Sequence, residues 1–518
     1  MYKNKHNESL VTLLKQSADK YSDKIALRDV KGTITYKEFF QHVETLASFF
    51  VDQGLQVGDR VGFVFPNSID YVTVHYAVIR AGGVSVPIDN FITPRNLSFQ
   101  LKDTEAKFFL FHSEHWDKIS ETDLPQLDFV ATTKLPKDNS KSPFQQDVFI
   151  LDEIFQQSKQ SDLPEITSGN RAIFLYTTGT TGRQKGVMLT HRNLVVSAMN
   201  IMETCEVTDA DCELTALPQT RLFGLAHVHG YLSLGASMML VRNLILPQKV
   251  LPLIEEIGAT SFPHVPTAFY TLMDTYPNLL KQYGNQLRYI LMCSAPCKEE
   301  RYKQLKTFLP DVRVFTSYGL TEAARSTIIE LDKHPSKLTS VGQSTYGMTI
   351  SILDGNKVQP ANAEGEVVLQ GDIVTSGYWK LPEENKRVFC DHGFRTGDLG
   401  KLDDEGFLYI VGRIKDIINV SGLKVNPMEI EEVLKGFPGI EDVAVAGFPD
   451  EKGSLNEKIV AFYTTEDEKE KDVKALRDFC YQNLEKFKVP VHFERIQEIP
   501  KTVSGKIQRV KLREAYSF

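Results

Sequence analysis

From residue 25 to about 330, short apolar runs alternate with segments of helical periodicity. Asp59-Arg-Val-Gly-Phe-Val-Phe65 reads as a strand and Ser68 to Ala81 as a helix. Ala81-Gly-Gly-Val-Ser-Val-Pro87 then reads as helix end, turn and next strand. Strands that alternate with helices predict an α/β fold with largely parallel sheets, because parallel neighbours need a crossover between them. From about 340 to 412 the pattern changes to short strands punctuated by Leu353-Asp-Gly355 and Asp403-Asp-Glu-Gly406, which predicts a smaller β-rich subdomain. A new α+β pattern begins at Gly412-Arg-Ile-Lys-Asp416. It has a helix from Pro427 to Lys435, strands at Val443 to Phe448 and Lys458 to Tyr463, and a charged helix from Lys469 to Gln482. The expected organisation is a large N-terminal domain of layered α/β sheets over 1–413, its β-rich part at about 340–413, and a small α+β domain over 414–518.

One apolar stretch changes the picture if misread. Leu222 to Val241 carries no formal charge and is long enough to span a bilayer. It also holds His227, His229, three glycines and two serines, so a buried helix followed by the buried strand Ala236-Ser-Met-Met-Leu-Val241 fits it better. No transmembrane segment is expected.

At 518 residues the chain exceeds what one hydrophobic core usually serves, and its 42% apolar, 24% charged composition is that of a globular protein. A net charge of −8 argues against a nucleic-acid surface, so any anionic ligand must be met by locally placed cations. Six scattered cysteines form no disulfide framework or zinc pattern, and the N-terminus lacks a signal-peptide core. A cytoplasmic setting is expected.

The richest chemistry lies in Tyr176-Thr-Thr-Gly-Thr-Thr-Gly-Arg-Gln-Lys-Gly186, directly after the apolar run Ile173-Phe-Leu-Tyr176. Gly179, Gly182 and Gly186 permit close backbone approach, Thr177, Thr178, Thr180 and Thr181 add hydroxyl donors, and Lys185 supplies mobile positive charge. The spacing suits polyphosphate but is not a Walker A loop, since Gln184 and Gly186 occupy positions that pattern assigns otherwise. Alone, the stretch reads equally well as a polar surface loop. Three further motifs follow in order: Tyr318-Gly-Leu-Thr-Glu322, Arg395-Thr-Gly-Asp398 with Gly412-Arg413, and Pro500-Lys-Thr-Val-Ser-Gly-Lys506. Singly these are bland: a strand ending in a capped helix, an ordinary turn and a solvated lysine.

Together the four ordered motifs resemble those of the adenylate-forming superfamily, which includes acyl-CoA synthetases, luciferases and adenylation domains. The resemblance runs from about Leu10 to Arg513. It implies that the Thr177–Gly186 loop holds the β- and γ-phosphates of ATP, that Tyr318 and Gly319 border adenine, that Thr321 contacts the α-phosphate and that Glu322 ligates Mg²⁺. It likewise implies that Asp398 takes the ribose hydroxyls with help from Arg413, and that Ser294 and Ala295 border the adenine and acyl sites. Cys293 stands where glycine is common in the family. Lys506 would stabilise the adenylation transition state from a mobile C-terminal domain hinged at Lys415. Rotation would then exchange it for the Asn419–Asn426 face, where Ser421 and Gly422 would line a pantetheine tunnel.

Relatives that activate α-amino acids carry a Phe-Asp pair after the phosphate loop. Here Leu217-Pro-Gln-Thr-Arg-Leu-Phe-Gly-Leu225 contains no acid, so an amino-acid substrate is disfavoured. The segment looks most like that of fatty and related acyl-CoA synthetases, with Arg221 where those usually have His. Arg221 either meets a substrate carboxylate or phosphate or closes a buried ion pair. Phe223 and His227 are candidate acyl-pocket residues, although His227 and His229 also fit as satisfied core histidines. The resemblance thus implies an ATP-dependent, AMP-forming ligase that makes an acyl-adenylate from a fatty or similar acid and passes it to CoA. The alternatives are loading of a carrier-protein phosphopantetheine, with an acyl carrier protein as partner, and an inactive acyl- or nucleotide-binding relative.

Overall fold

The computed structural model describes all residues except 1, 137–142, 145, 158–160, 179–183, 294–296, 421–422, 450–455, 466–468, 502–506 and 517–518. The chain forms two compact units, the larger comprising Met1–Ile350 with Leu369–Phe394 and the smaller Ser351–Val368 with Arg395–Phe518.

Two sheets organise the larger unit. The first runs in the order Val148–Ile150, Phe129–Thr132, Phe108–Phe111, Arg60–Val64, Val84–Pro87, Arg171–Thr178, Gln184–Thr190. All neighbours are parallel except the last pair, an antiparallel hairpin. Its inner strands are continuous apolar runs, as sheets covered on both faces require; every residue of Phe108–Phe111 and Val84–Pro87 is buried. The connection between Arg60–Val64 and Val84–Pro87 is the helix Ile69–Arg80, started by Ser68, whose hydroxyl accepts from the Tyr71 amide. The expected strand, helix and strand are therefore all present.

The second sheet consists of two four-stranded runs. One is ordered Cys212–Thr215, Ser237–Leu240, Ile25–Asp29, Gly32–Thr35 and the other Tyr289–Cys293, Arg313–Leu320, Ala323–Glu330, Gln343–Ser344. Ser261 joins them through single parallel bridges to Glu213 and Tyr289. The uncharged stretch folds as the helix Leu222–Leu234, stopped by Gly235 in the left-handed region (φ 79°), and then the strand Ser237–Leu240. The helix is apolar all round because it is buried all round. No helix among the described residues is long and apolar enough to cross a membrane.

In the smaller unit, the strands Ile440–Pro449, Glu457–Thr465 and His492–Arg495 form a mixed sheet covered by the helices Pro427–Lys435, Val473–Asn483 and Arg509–Ala515. The charged helix begins at Val473 rather than Lys469, because Asp472 caps it by accepting from the Lys474 amide. The strand ending at Leu402 pairs back on Leu408–Arg413, setting Asp398 opposite Arg413.

Candidate active site

The phosphate-loop motif sits at the tip of a hairpin. Tyr176 faces Gly186, Thr177 faces Lys185 and Thr178 faces Gln184. The tip, with Gly179, Thr180, Thr181 and Gly182, lies outside the described residues, as does the Thr178 side chain; Thr177 and Lys185 are half-buried. Tyr176 is anchored below the tip by donating its hydroxyl to Asp103 Oδ2 at 2.6 Å.

The Tyr318-Gly-Leu-Thr-Glu322 motif also forms a hairpin, not the strand and capped helix that such a sequence gives in isolation. Leu320 pairs with Ala323 across a two-residue turn of Thr321 and Glu322, so the chain has reversed before a helix can start. Gly319 is required here, since a Cβ would lie 2.4 Å from the Arg325 backbone nitrogen. Tyr318, Gly319, Thr321 and Glu322 are half-buried between buried strand residues.

A segment far downstream in sequence stitches these hairpins together. Trp379 donates its amide to Gly186 O at 2.8 Å, Met188 donates to Gly377 O at 3.0 Å, and Thr375 donates its amide to Glu322 O at 2.7 Å. Tyr378 then places its side chain between the two motifs. Its hydroxyl donates to Glu322 Oε1 at 2.7 Å, while the Lys185 ammonium lies 5.0 Å from its ring centroid. Burial, and secondarily the Glu322 carboxylate, push the Tyr378 hydroxyl well above its ordinary pKa, which keeps it a donor. Lys185 is ion-paired with Glu384. The Glu384 carboxyl is held below its usual range, first by the Arg387 hydrogen bond and then by Lys185, against the opposing effect of burial. Sequence reasoning missed Tyr378 and Glu384; the only signal was an aromatic pair, Tyr378-Trp379, after a glycine in a stretch read as β-rich.

Arg221 forms its ion pair with Asp89 at 3.3 Å and also donates to Tyr176 O at 3.4 Å. The expectation of a buried pair fails, since the Arg221 side chain is 53% exposed. Its residue is the extended N-cap of the helix Leu222–Leu234, which points the guanidinium away from the core and towards the end of the strand that carries Thr177.

His227 is fully buried, its Nδ1 2.8 Å from Glu213 Oε2 and its ring edge-on to Phe223 at 5.6 Å. His229 pairs with His75 through their Nε2 atoms at 2.9 Å. Burial drives the pKa of His75 to about 3 and that of His229 well below the ordinary value, so this pair is neutral core. The expected satisfaction is incomplete, because among the described residues His227 Nε2, His229 Nδ1 and Glu213 Oε1 have no hydrogen-bond partner. Cys293 and Cys297 are buried free thiols; Ser294 and Ala295 lie outside the described residues.

In the smaller unit Asp398 is 3% exposed and ion-paired with the cross-strand Arg413 at 2.8 Å, and its amide donates to Thr396 Oγ1 at 3.0 Å. Gly412 packs against Asn426, which donates to Val411 O and caps the helix Pro427–Lys435. Lys415 is exposed in the single turn Ile414–Asp416. Ser421, Gly422 and Lys506 lie outside the described residues.

A family model for AMP-binding enzymes matches residues 14–379, and one for the AMP-binding enzyme C-terminal domain matches residues 429–506. The chain is 32% identical over 527 residues to an oxalate–CoA ligase of Arabidopsis thaliana, covering 97% of this chain and 98% of the relative. It is 31% identical over 540 residues to a long-chain-fatty-acid–CoA ligase of Bacillus subtilis strain 168, covering 98% and 94%. The crystal structure of ATP-bound MatB from Rhodopseudomonas palustris superposes with a TM-score of 0.86 at 29% identity, covering 98% of this chain and 99% of that one. Motif order, fold and similarity over nearly the whole length agree: the chain belongs to the AMP-binding enzyme family of the adenylate-forming superfamily.

Proposed function

We propose that the protein is an AMP-forming acid–thiol ligase that activates a carboxylic acid with ATP and transfers the acyl group to CoA. The observation that carries this reading is Tyr378, which ties Lys185 of the phosphate hairpin to Glu322 of the second motif. A cation and a carboxylate on neighbouring hairpins, the cation close in sequence to a run of hydroxyls and glycines, suit a nucleoside triphosphate with its counter-ion. A hard cation bridging phosphates takes oxygen ligands and often a single protein carboxylate, which Glu322 fits with one oxygen already oriented by Tyr378. Magnesium bound there with ATP would offset charge on the phosphates.

The acid's carboxylate oxygen attacks the α-phosphorus, a new P–O bond forms, and the bond to the β-phosphate oxygen breaks to release pyrophosphate. Two anions must meet, so the chain's task is to place positive charge and oriented donors. Lys185 must leave Glu384 to meet the phosphates. Thr321 turns towards the α-phosphate, Tyr318 and Gly319 border adenine, and Asp398 with Arg413 receives the ribose. Lys506 stabilises charge as it shifts, and Ser421 and Gly422 flank the incoming pantetheine after the segment beyond 413 pivots at Lys415. The compact unit that contains Lys415 also holds residues 351–368 and 395–413, so the contacts divide the chain elsewhere than at 413/414.

An acid without an α-ammonium group is favoured, because no carboxylate lies between Leu217 and Leu225 to meet one. Fatty and related acids are the starting class. Named relatives span oxalate and long-chain fatty acids, so similarity alone does not choose among them. Six unpaired thiols accord with a cytoplasmic setting.

The test is acid-dependent exchange of pyrophosphate into ATP over fatty, aryl, dicarboxylic and amino acids, followed by product analysis with CoA or a carrier protein. AMP and an acyl-thioester are expected; ADP as the product, or no exchange with any acid, overturns the reading.

A further inference from the structure

Arg325 is a buried cation of the larger unit that the reading above leaves without a task. It lies in the strand Ala323–Glu330, three residues past Glu322, and is 2% exposed. Its Nη2 donates to Phe223 O at 3.2 Å, its Nη1 points to Cys293 Sγ at 3.7 Å, and its guanidinium carbon sits 4.5 Å from the Phe223 ring centroid. Among the described residues Nε has no acceptor and no carboxylate pairs with the guanidinium. Glu213, the buried acid whose charge reaches Arg325 through space, is already engaged by His227 at 2.8 Å and by Ser261 at 3.1 Å.

A guanidinium taken out of water without an anion is costly, and arginine in buried positions is normally paired. A second cost falls on the same residue. Arg325 has φ +62°, the left-handed region that a side chain of this size rarely adopts. Its two side-chain neighbours flank the expected acyl site, Phe223 on the segment after the phosphate loop and Cys293 next in sequence to Ser294 and Ala295, and Glu322 of the adenylation motif lies three residues before it. Backbone strain and an unpaired charge at one buried residue are what a binding site retains when its ligand brings the missing counter-charge.

We infer that Arg325 receives a second carboxylate of the acid being activated, so that the preferred substrate is a dicarboxylic acid. This rests on the adenylating reading above and narrows it. One carboxylate attacks the α-phosphorus and displaces pyrophosphate; the other stays ionised against the guanidinium, which can hold it through two parallel N–H···O bonds, and takes no part in the bond changes. The half-buried Phe223 ring covers the guanidinium, so the acid enters as that ring swings aside.

The experiment compares pyrophosphate exchange for the wild-type chain with oxalate, malonate, succinate, glutarate and adipate against monocarboxylates of matched length and against octanoate and palmitate. Expected is a kcat/KM for at least one dicarboxylate about 100-fold or more above its matched monocarboxylate. Arg325→Met should erase that preference, Arg325→Lys should keep part of it through charge without the bidentate geometry, and both should melt within a few degrees of wild type. Monocarboxylates that match or exceed every dicarboxylate in the wild-type chain overturn the inference while leaving adenylation intact, as does a folded Arg325→Met variant with the preference unchanged. Silence across the whole panel overturns adenylation itself and this inference with it. Should a variant fail to fold, the wild-type panel alone decides.

Discussion

Two arginines, Arg325 buried in the larger unit and Arg509 half-buried in the smaller, meet the loss of water in opposite ways. Arg509 of the smaller unit pairs with Glu431 and with Asp416 at 3.2 Å, and donates its Nε to Val445 O at 2.8 Å. Glu431 in turn accepts the Val445 amide at 2.8 Å. Every charge there is answered from within the chain, and the cluster fastens the helices Pro427–Lys435 and Arg509–Ala515 to one strand. Arg325 is more deeply buried, strained at its backbone, and answered by a sulfur, a carbonyl oxygen and a ring face. The first arrangement is complete as it stands. The second becomes complete only with an anion from outside, and that difference separates an arginine that holds a fold from one that reads a ligand.

The largest effect that would test the contrast is on stability. Arg509→Met leaves Glu431 buried without its cation, and should lower the unfolding free energy by about 3–5 kcal/mol in urea titrations. A loss below about 1 kcal/mol would erase the contrast from the smaller unit's side. Next comes acid. His75, and His191, which is 1% exposed and accepts the Leu10 amide on Nδ1, are neutral core groups with pKa values drawn down to about 3 by burial, from an ordinary 6.5. Below pH 6.5 the unfolded chain takes up protons that the folded chain refuses, so each should remove about 1.4 kcal/mol of stability per pH unit as the pH falls towards 3. Urea midpoints that stay level from pH 7 to 5 would show that these rings are not the neutral core groups described. A smaller effect is expected at Lys185. Glu384→Gln frees the ammonium from its resting partner and should lower the KM for ATP about fivefold, equivalent to ~1 kcal/mol; a raised KM would mean that Glu384 positions Lys185 for phosphate instead. Smallest is the effect of Arg325→Met on stability without ligand. Removing an uncompensated charge should leave the melting temperature level or slightly higher, and a fall of the size expected for Arg509→Met would assign Arg325 to the fold.

The sequence was most legible where local chemistry and burial agree. The strand at Arg60–Val64 is a short apolar run, and the helices Ile69–Arg80 and Pro427–Lys435 have apolar periodicity opened by the caps Ser68 and Asn426, so their bounds fall within a residue or two of expectation. The motif residues of the site could be named because each stands in a short, ordered signature. Tyr378 and Glu384 could not, since their roles come from a segment that returns to lie beside hairpins far earlier in the chain, and nothing local marks that return. Arg325 was visible as a lone charge between alanine and serine in an otherwise uncharged strand interior, but its missing partner is a property of three-dimensional neighbours. The burial expected for an Arg221 ion pair failed for a related reason: a charge beside an apolar helix looks buried until the helix start is known to turn it outward.

Gly319 carries the last consequence. With only 2.4 Å between its would-be Cβ and the Arg325 backbone nitrogen, position 319 is locked, whereas the side chain at 325 is attached to that same turn without being needed to build it. A lineage could therefore trade one acid for another by a single codon change at 325, while the nucleotide half of the site passed unaltered from ancestor to descendant.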